Sequence, residues 1–196
     1  MKIEVRPLQG DNLADFLDFF ESIEFKEHPG WSACYCRSFH FTGKAEEWTA
    51  ENNRKAVQDL VRVGNMKGYL AYLGNKPVGW CNANNRLAFQ RLSRIHDLDQ
   101  PDHPFSCAIV CFLVNPAHRR KGIARELLHR IINDYTSKGY QWIEAYPEKD
   151  ESSEENNYKG HLRLYLENGF EMVREYQDHL LVRRYLKPHR SPGPVR

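Results

Sequence analysis

The segment Val114-Asn115-Pro116-Ala117-His118-Arg119-Arg120-Lys121-Gly122-Ile123-Ala124 runs from an apolar stretch, through a basic turn, into a helical pattern. Residues 106–114 are nearly all apolar and include β-branched side chains, which is typical of a strand buried on both faces. After the turn, apolar residues recur at helical spacing at Ile123, Leu127, Leu128, Ile131, Ile132 and Tyr135. The segment therefore predicts a central strand, a tight turn and an amphipathic helix in direct succession.

The turn has the features of a phosphate-binding site. The first backbone N–H groups of a helix have no partner within the helix, and the helix dipole adds partial positive charge there. Gly122 would let a phosphate approach the backbone, and Arg119, Arg120 and Lys121 add positive charge. The sequence lacks both the Gly-Lys-Ser/Thr of a Walker loop and the three glycines of a dinucleotide fingerprint. A solvated basic turn before an ordinary helix is the alternative that the turn alone leaves open.

The rest of the chain alternates between strand and helix patterns. Strands are predicted at 2–6, 68–73, 78–81, 106–114, 141–146, 171–177 and 180–186, and helices from Asp11, over 44–63, from Ile123 to Gly139 and around 162–166. Residues 31–36 are interpreted as an aromatic, cysteine-rich loop, and residues 84–104 as an inserted loop or short helix. This order predicts a mixed α/β fold with a mostly antiparallel central sheet flanked by helices. One parallel pair is expected where a helix joins two strands.

Length and charge limit the classes of function. The chain has 196 residues, with 28 Lys and Arg against 26 Asp and Glu, a formal net charge of +2. This excess is small for a protein that neutralises nucleic-acid phosphates, so no nucleic-acid partner is expected. The sequence has neither an apolar run of membrane-spanning length nor a signal-peptide pattern, which predicts a cytoplasmic protein with no membrane partner. We expect one domain over residues 1–186 and a disordered basic tail over 187–196.

The five cysteines favour free thiols over metal ligands. They are Cys34, Cys36, Cys81, Cys107 and Cys111. An odd number without an export signal is typical of a reducing compartment. Neither the pair Cys34 and Cys36 nor the pair Cys107 and Cys111 has the two-residue gap of a zinc knuckle, and no His pair at ligand spacing accompanies them. We therefore expect no metal.

Three features together resemble the GNAT N-acetyltransferase superfamily. Arg119-x-x-Gly122-x-Ala124 after Val114-x-Pro116 is similar to the acetyl-CoA pyrophosphate loop of that superfamily. Tyr165 precedes Gly169-Phe170 at the spacing of its closing signature, and the order of elements matches its core up to Leu186. The resemblance implies a GNAT-like sheet with a splayed strand pair. It also implies acetyl-CoA as the acetyl donor and transfer of the acetyl group to a primary amine.

The resemblance also implies the cofactor contacts. Backbone groups at the end of the strand would bond the pantetheine amides as an added strand does, and those of the turn would hold the pyrophosphate. The residues concerned are Phe112, Leu113, Val114, Arg119, Arg120, Lys121, Gly122, Ile123 and Ala124. Superfamily members often carry an Asn about seven residues before the Tyr, whereas Tyr158 holds that place here, directly after Asn157. Asn157 is therefore the candidate for that contact, in a loop over 147–157 that is longer than usual.

Two side chains are candidates for the chemistry. Attack of an amine on a thioester needs a base for the amine proton and an acid for the departing thiolate. Tyr165 matches the Tyr of the superfamily and is the candidate acid, with packing beside Leu162 as the alternative. Glu144 lies in a stretch that resembles the strand carrying a catalytic Glu in ribosomal-protein N-terminal acetyltransferases. It is the candidate base, with a surface role, or deprotonation through water, as the alternatives.

The acceptor is expected near the first two helices, because that region builds the acceptor pocket in the superfamily. Trp31, Tyr35 and Trp80 are the candidate walls, and packing of these aromatic residues among themselves is the alternative. We predict a small-molecule amine as the acceptor. A protein Lys or N-terminal acetyltransferase and a non-catalytic CoA-binding module stay open as alternatives, and the sequence also leaves a homodimer open.

Overall fold

The computed structural model describes residues 2–23, 25, 30–92, 104–149 and 158–186. Its strands are β1 (Ile3–Pro7), β2 (Tyr69–Leu73), β3 (Lys76–Asn85), β4 (Ser106–Val114), β5 (Trp142–Ala145), β6 (Glu171–Glu175) and β7 (Leu180–Tyr185). Its α-helices are α1 (Leu13–Ser22), α2 (Gly30–Cys34), α3 (Ala50–Arg62), α4 (Ile123–Ser137) and α5 (Leu162–Leu166). Among these described residues, no helix combines the length and the apolar character needed to span a bilayer.

The seven strands form one sheet in the order β1-β2-β3-β4-β5-β7-β6. All neighbouring strands pair antiparallel except β4 and β5, which are parallel. The parallel pair arises because α4 carries the chain from the end of β4 back to the start of β5. The predicted mixed and mostly antiparallel sheet flanked by helices is confirmed.

Strands β4 and β5 separate part-way along their length. Their pairing begins with Ser106 opposite Trp142 and ends with Ile109 opposite Ala145. On its other side, β4 stays paired with β3 as far as Val114. The edge of β4 beyond Ile109 therefore faces a cleft, which confirms the predicted splayed strand pair.

Apolar layers cover both faces of the sheet. On one face, Leu127, Leu128 and Ile131 of α4 are fully buried against side chains of the central strands. On the other face, Phe16 of α1 packs edge-on against Trp80, with ring centroids 4.7 Å apart. Burial of each such side chain contributes about 1.5–3 kcal/mol. The two layers therefore hold the strands on either side of the cleft in fixed positions.

Several predicted boundaries differ from the observed ones. The predicted loop over 31–36 contains α2, whose five residues are too few to produce a readable apolar repeat. Helix α3 begins at Ala50 rather than residue 44, because the Thr49 side chain accepts a hydrogen bond from the Asn52 backbone N–H at 3.2 Å. Strand β3 continues past residue 81 to Asn85, paired with β4 throughout. The tail over 187–196 and residues 93–103 of the predicted insertion lie outside the described residues.

Candidate active site

A cavity of about 740 Å³ opens beside the splayed edge of β4. Its walls come from the end of β4, the basic turn, the start of α4 and the segment that leads into α5. They are lined by Trp31, Phe112, Leu113, Val114, Arg119, Arg120, Gly122, Ile123, Ala124, Arg125, Tyr158, Gly160, His161 and Leu164. Every cofactor residue predicted between Phe112 and Ala124 lines this cavity except Lys121.

The turn before α4 presents its backbone to the cavity. Gly122 caps α4 with φ of 80° and ψ of 3°, a left-handed conformation that glycine adopts without strain. A Cβ atom on Gly122 would meet no heavy atom within 4 Å, so the space in front of this residue is open. Because α4 has 15 residues, its dipole places partial positive charge at this end. The geometry fits an anion the size of a pyrophosphate.

Arginine side chains supply positive charge at this end of the cavity. Arg119 and Arg120, both predicted to contact the cofactor, line it. The Lys121 side chain does not, because its ammonium group donates to the Ala117 carbonyl oxygen at 3.0 Å and so folds back on the turn. Arg125, in the first turn of α4, also lines the cavity. It was not among the predicted cofactor residues, although it directly follows the last of them in the sequence. Its Nη2 also pairs with Glu167 at 3.0 Å.

A second, smaller cavity of about 250 Å³ borders Tyr158, which also lines the larger cavity. It is lined by Ser38, Phe39, Arg91, Tyr146, Tyr158, Lys159, Asp178 and His179. Tyr158 lines both cavities, so the two cavities meet at this residue. None of the second cavity's residues was predicted as a site residue, because they come from five separate parts of the chain.

Asp178 and His179 form a fixed pair in the second cavity. His179 Nδ1 lies 2.6 Å from the Asp178 carboxylate, and this hydrogen bond lowers the pKa of Asp178. Because an ionised carboxylate only accepts hydrogen bonds, Nδ1 of His179 is the donor of this bond. The ring stacks on Tyr176 with centroids 4.7 Å apart. The backbone of His179 is also bridged to Glu148, so the imidazole is held in place.

Tyr165 lies behind the larger cavity and does not line it. Its ring is fully buried, with centroids 6.2 Å from Phe112 and 5.2 Å from Phe170. Its hydroxyl donates to the Lys159 carbonyl oxygen at 2.6 Å, and burial raises its pKa well above the ordinary value. A Cβ atom on Gly160 would lie 2.8 Å from this hydroxyl oxygen, so a residue without a side chain is needed there. The observed partner of the hydroxyl is thus the backbone beside Tyr158.

Glu144, the predicted base, lies in a buried ion-pair cluster. Its carboxylate is 2% exposed and pairs with Arg86 Nε at 2.8 Å and Arg183 Nη2 at 3.0 Å. The Tyr146 hydroxyl also donates to Glu144 Oε1 at 2.6 Å. Glu144 lines neither cavity. Its partners therefore bind both carboxylate oxygens.

Two of the three predicted aromatic walls belong to the core. Trp31 lines the larger cavity as part of α2. Tyr35 is buried against Phe20, with centroids 5.6 Å apart, and its hydroxyl donates to Glu21 at 3.2 Å. Trp80 is fully buried beneath α1. Tyr35 and Trp80 therefore pack in the interior and do not line an acceptor site.

The remaining sequence predictions concern the cysteines and Asn157. All five cysteines are free. Among the described residues, no group of three or more His, Cys, Asp and Glu side chains is placed to hold a metal ion. Asn157, the candidate for a cofactor contact, lies outside the described residues.

The sequence matches a family model over most of its length, including every residue that lines the larger cavity. The acetyltransferase (GNAT) family model matches residues 26–170. The chain belongs to the GNAT acetyltransferase family. No curated protein matches the sequence significantly.

Solved structures share the fold of this GNAT acetyltransferase at low sequence identity. The PaiA N-acetyltransferase from Thermoplasma acidophilum, in complex with coenzyme A, is 14% identical with a TM-score of 0.57, over 94% of this chain and 99% of its own. An N-acetyltransferase from Staphylococcus aureus Mu50 is 16% identical with a TM-score of 0.58, and the match covers 95% of this chain and 100% of that protein. The structure of yncA from Salmonella typhimurium, with its cofactor acetyl-CoA, is 15% identical with a TM-score of 0.56, and the match covers 98% of this chain and 99% of that protein.

Proposed function

We propose that this protein transfers the acetyl group of acetyl-CoA to the primary amine of a small molecule. The observation that carries the proposal is the pair of cavities that meet at Tyr158 beside the splayed edge of β4. One cavity has the size and the basic turn that a nucleotide thioester needs, and the other has the size of a small acceptor. Membership of the GNAT acetyltransferase family supports acetyl transfer. Two solved structures of the same fold are described with coenzyme A or acetyl-CoA.

The larger cavity would hold acetyl-CoA. The backbone N–H groups over 119–124 and the side chains of Arg119 and Arg120 would hold the pyrophosphate. The edge of β4 over 112–114 is free of β5 and would bond the pantetheine amides, as a sheet edge bonds an added strand. When bound, acetyl-CoA supplies an acetyl thioester. Its acyl end would then lie away from the turn at Gly122.

The smaller cavity would receive the acceptor. Its volume of about 250 Å³ and its mixture of charged and hydroxyl side chains fit a small polar amine. Asp178 offers negative charge to the amine, and Arg91 offers positive charge to an anionic group on the same molecule. The amine proton would leave to water in this cavity.

A panel assay of coenzyme A thiol release tests this function. Small primary amines, polyamines, aminoglycosides and peptides with a free Lys or N-terminus would each be offered with acetyl-CoA. We expect amine-dependent thiol release with at least one small amine, and loss of that release in Gly122→Glu. Release with peptides alone would indicate a protein acetyltransferase. Binding of acetyl-CoA without release for any amine would indicate a non-catalytic binding module.

A further inference from the structure

The charged side chains that line the smaller cavity differ in whether the protein itself supplies their partner. Lys159 is paired with Glu148 at 2.5 Å, and Asp178 accepts a hydrogen bond from His179 Nδ1 at 2.6 Å. Within the described part of the chain, the guanidinium group of Arg91, which also lines the cavity, has no carboxylate partner. The wall of the cavity at Arg91 therefore carries positive charge that these residues do not neutralise.

A hydroxyl group belongs to the same wall. The backbone N–H of Arg91 donates to the Phe39 carbonyl oxygen at 3.2 Å, which joins Arg91 to the segment that contains Ser38. The Phe39 ring packs against the fully buried Phe89, with centroids 6.4 Å apart, so this segment is anchored to the core. Among the described residues, the Ser38 hydroxyl has no hydrogen-bond partner. Two groups that can donate to a ligand are thus held on adjoining segments of one cavity wall.

The chemistry of these two groups is suited to an anion. A guanidinium group donates two parallel hydrogen bonds to a carboxylate or a phosphate, and a hydroxyl can add a third. Arg91 is exposed whereas Tyr146, on the same cavity, is buried, so the anionic group would bind near the mouth of the cavity. The rest of the cavity is then left for the remainder of the ligand.

We propose that the acceptor is a small amine that also carries a carboxylate or a phosphate, and that Arg91 and Ser38 bind this anionic group. The inference rests on the proposed function, since it names the class of acceptor for the same cavity. With its anionic group at Arg91, the acceptor would extend its amine towards Tyr158, where the two cavities meet. A polycationic amine would instead bring further positive charge close to Arg91 and Lys159, so polyamines and aminoglycosides are disfavoured.

Matched pairs of amines test this selectivity. Small amino acids are compared with their carboxamides, and O-phosphoethanolamine is compared with ethanolamine, so that each pair differs in the anionic group. Thiol release from acetyl-CoA gives kcat/KM for each compound. We expect the anionic member of at least one pair to be preferred by about tenfold, the effect of a charge-assisted hydrogen bond at a partly exposed site. A preference seen only with amino acids, or only with the phosphate, identifies which anion the site binds.

Variants of Arg91 separate recognition by the protein from the intrinsic reactivity of each amine. Arg91→Gln should bring the ratio of kcat/KM between the two members of the preferred pair down by about tenfold, and Arg91→Lys should lower it less because the charge remains. Ser38→Ala should also lower this ratio. Arg62→Gln is the matched control, because Arg62 is exposed and lines neither cavity, and its ratio should equal that of wild type. The same ratio in Arg91→Gln as in wild type overturns the proposal.

Calorimetric titration of the protein saturated with coenzyme A measures the same selectivity without turnover. We expect the preferred anionic amine to bind wild type, with a Kd about tenfold higher in Arg91→Gln. Acetylation of uncharged amines, with equal or tighter binding of the uncharged members to wild type, overturns this inference and leaves the proposed function standing. Failure of acetyl-CoA to bind, or no thiol release with any amine of either kind, overturns the proposed function and this inference together.

Discussion

Replacement of Glu144 by Gln is expected to destabilise the fold while leaving the chemistry of the folded protein intact. The carboxylate is 2% exposed and pairs with two guanidinium groups, those of Arg86 and Arg183, that are themselves buried. The variant keeps the shape of the side chain and removes its negative charge. The positive charges of both arginines then stay in the interior without that carboxylate.

The size of the effect follows from the burial of all three groups. Removing one partner of a buried ion pair destabilises a protein by about 3–5 kcal/mol, and Gln retains some hydrogen bonding, so we expect about 3 kcal/mol. For a domain of this length each kcal/mol lowers Tm by about 2–4 °C, which gives a decrease of roughly 10 °C. This would be a large share of the stability of a typical domain.

Urea denaturation of wild type and Glu144→Gln measures the change, and Glu167→Gln is the matched control. Glu167 also accepts from two arginines, Arg163 at 2.6 Å and Arg125 at 3.0 Å, but at the surface. Water screens such a pair, so the control should change the unfolding free energy little. If Glu144→Gln leaves stability unchanged and abolishes acetyl transfer, Glu144 is the base and the structural assignment is wrong.

Three further predictions concern the turn, a buried histidine and metal. Gly122→Glu should abolish acetyl-CoA binding while the protein stays folded, because a negative side chain would fill the open space before α4; calorimetric binding at wild-type affinity would place the cofactor elsewhere. Burial lowers the pKa of His40 to about 4. Below the ordinary histidine pKa, the unfolded state therefore binds a proton that the folded state does not, and the stability of the protein decreases as the pH is lowered. Between pH 7 and pH 5 wild type should lose about 2 kcal/mol more than His40→Gln, and equal losses in urea titrations would contradict this. Chelators should leave Tm and activity unchanged, since the cysteines lack metal-ligand spacing; a fall in Tm with chelator would show that a metal supports the fold.

The segment around Gly122 was predictable because each of its signals is local. An apolar strand, a basic turn ending in Gly and a stripe at helical spacing lie within one continuous stretch, and the structure contains β4, the turn and α4 there. The boundaries of α4 and α5 followed equally well from their apolar spacing and from the glycines that end them. The formation of such elements depends little on contacts with distant parts of the chain.

The errors concern residues whose environment is set by distant parts of the chain. The strand pattern places Glu144 on β5 correctly, yet its burial depends on Arg86 and Arg183, which come from other elements. Trp80 was assigned to a wall because an aromatic strand residue gives no indication of which layer will cover it, and α1 does so. The smaller cavity unites residues from 38 to 179, and no local sequence pattern joins them.

The stabilisation of the protein by acetyl-CoA tests the central claim most directly. A ligand that binds only the folded state at 100 times its Kd stabilises it by about 2.7 kcal/mol, which for this length corresponds to a Tm increase of roughly 5–10 °C. Thermal unfolding with and without acetyl-CoA, in wild type and in Gly122→Glu, measures this increase. We predict a concentration-dependent rise in the Tm of wild type and none in the variant. An unchanged Tm of wild type at millimolar acetyl-CoA would contradict the assignment of the larger cavity to this cofactor.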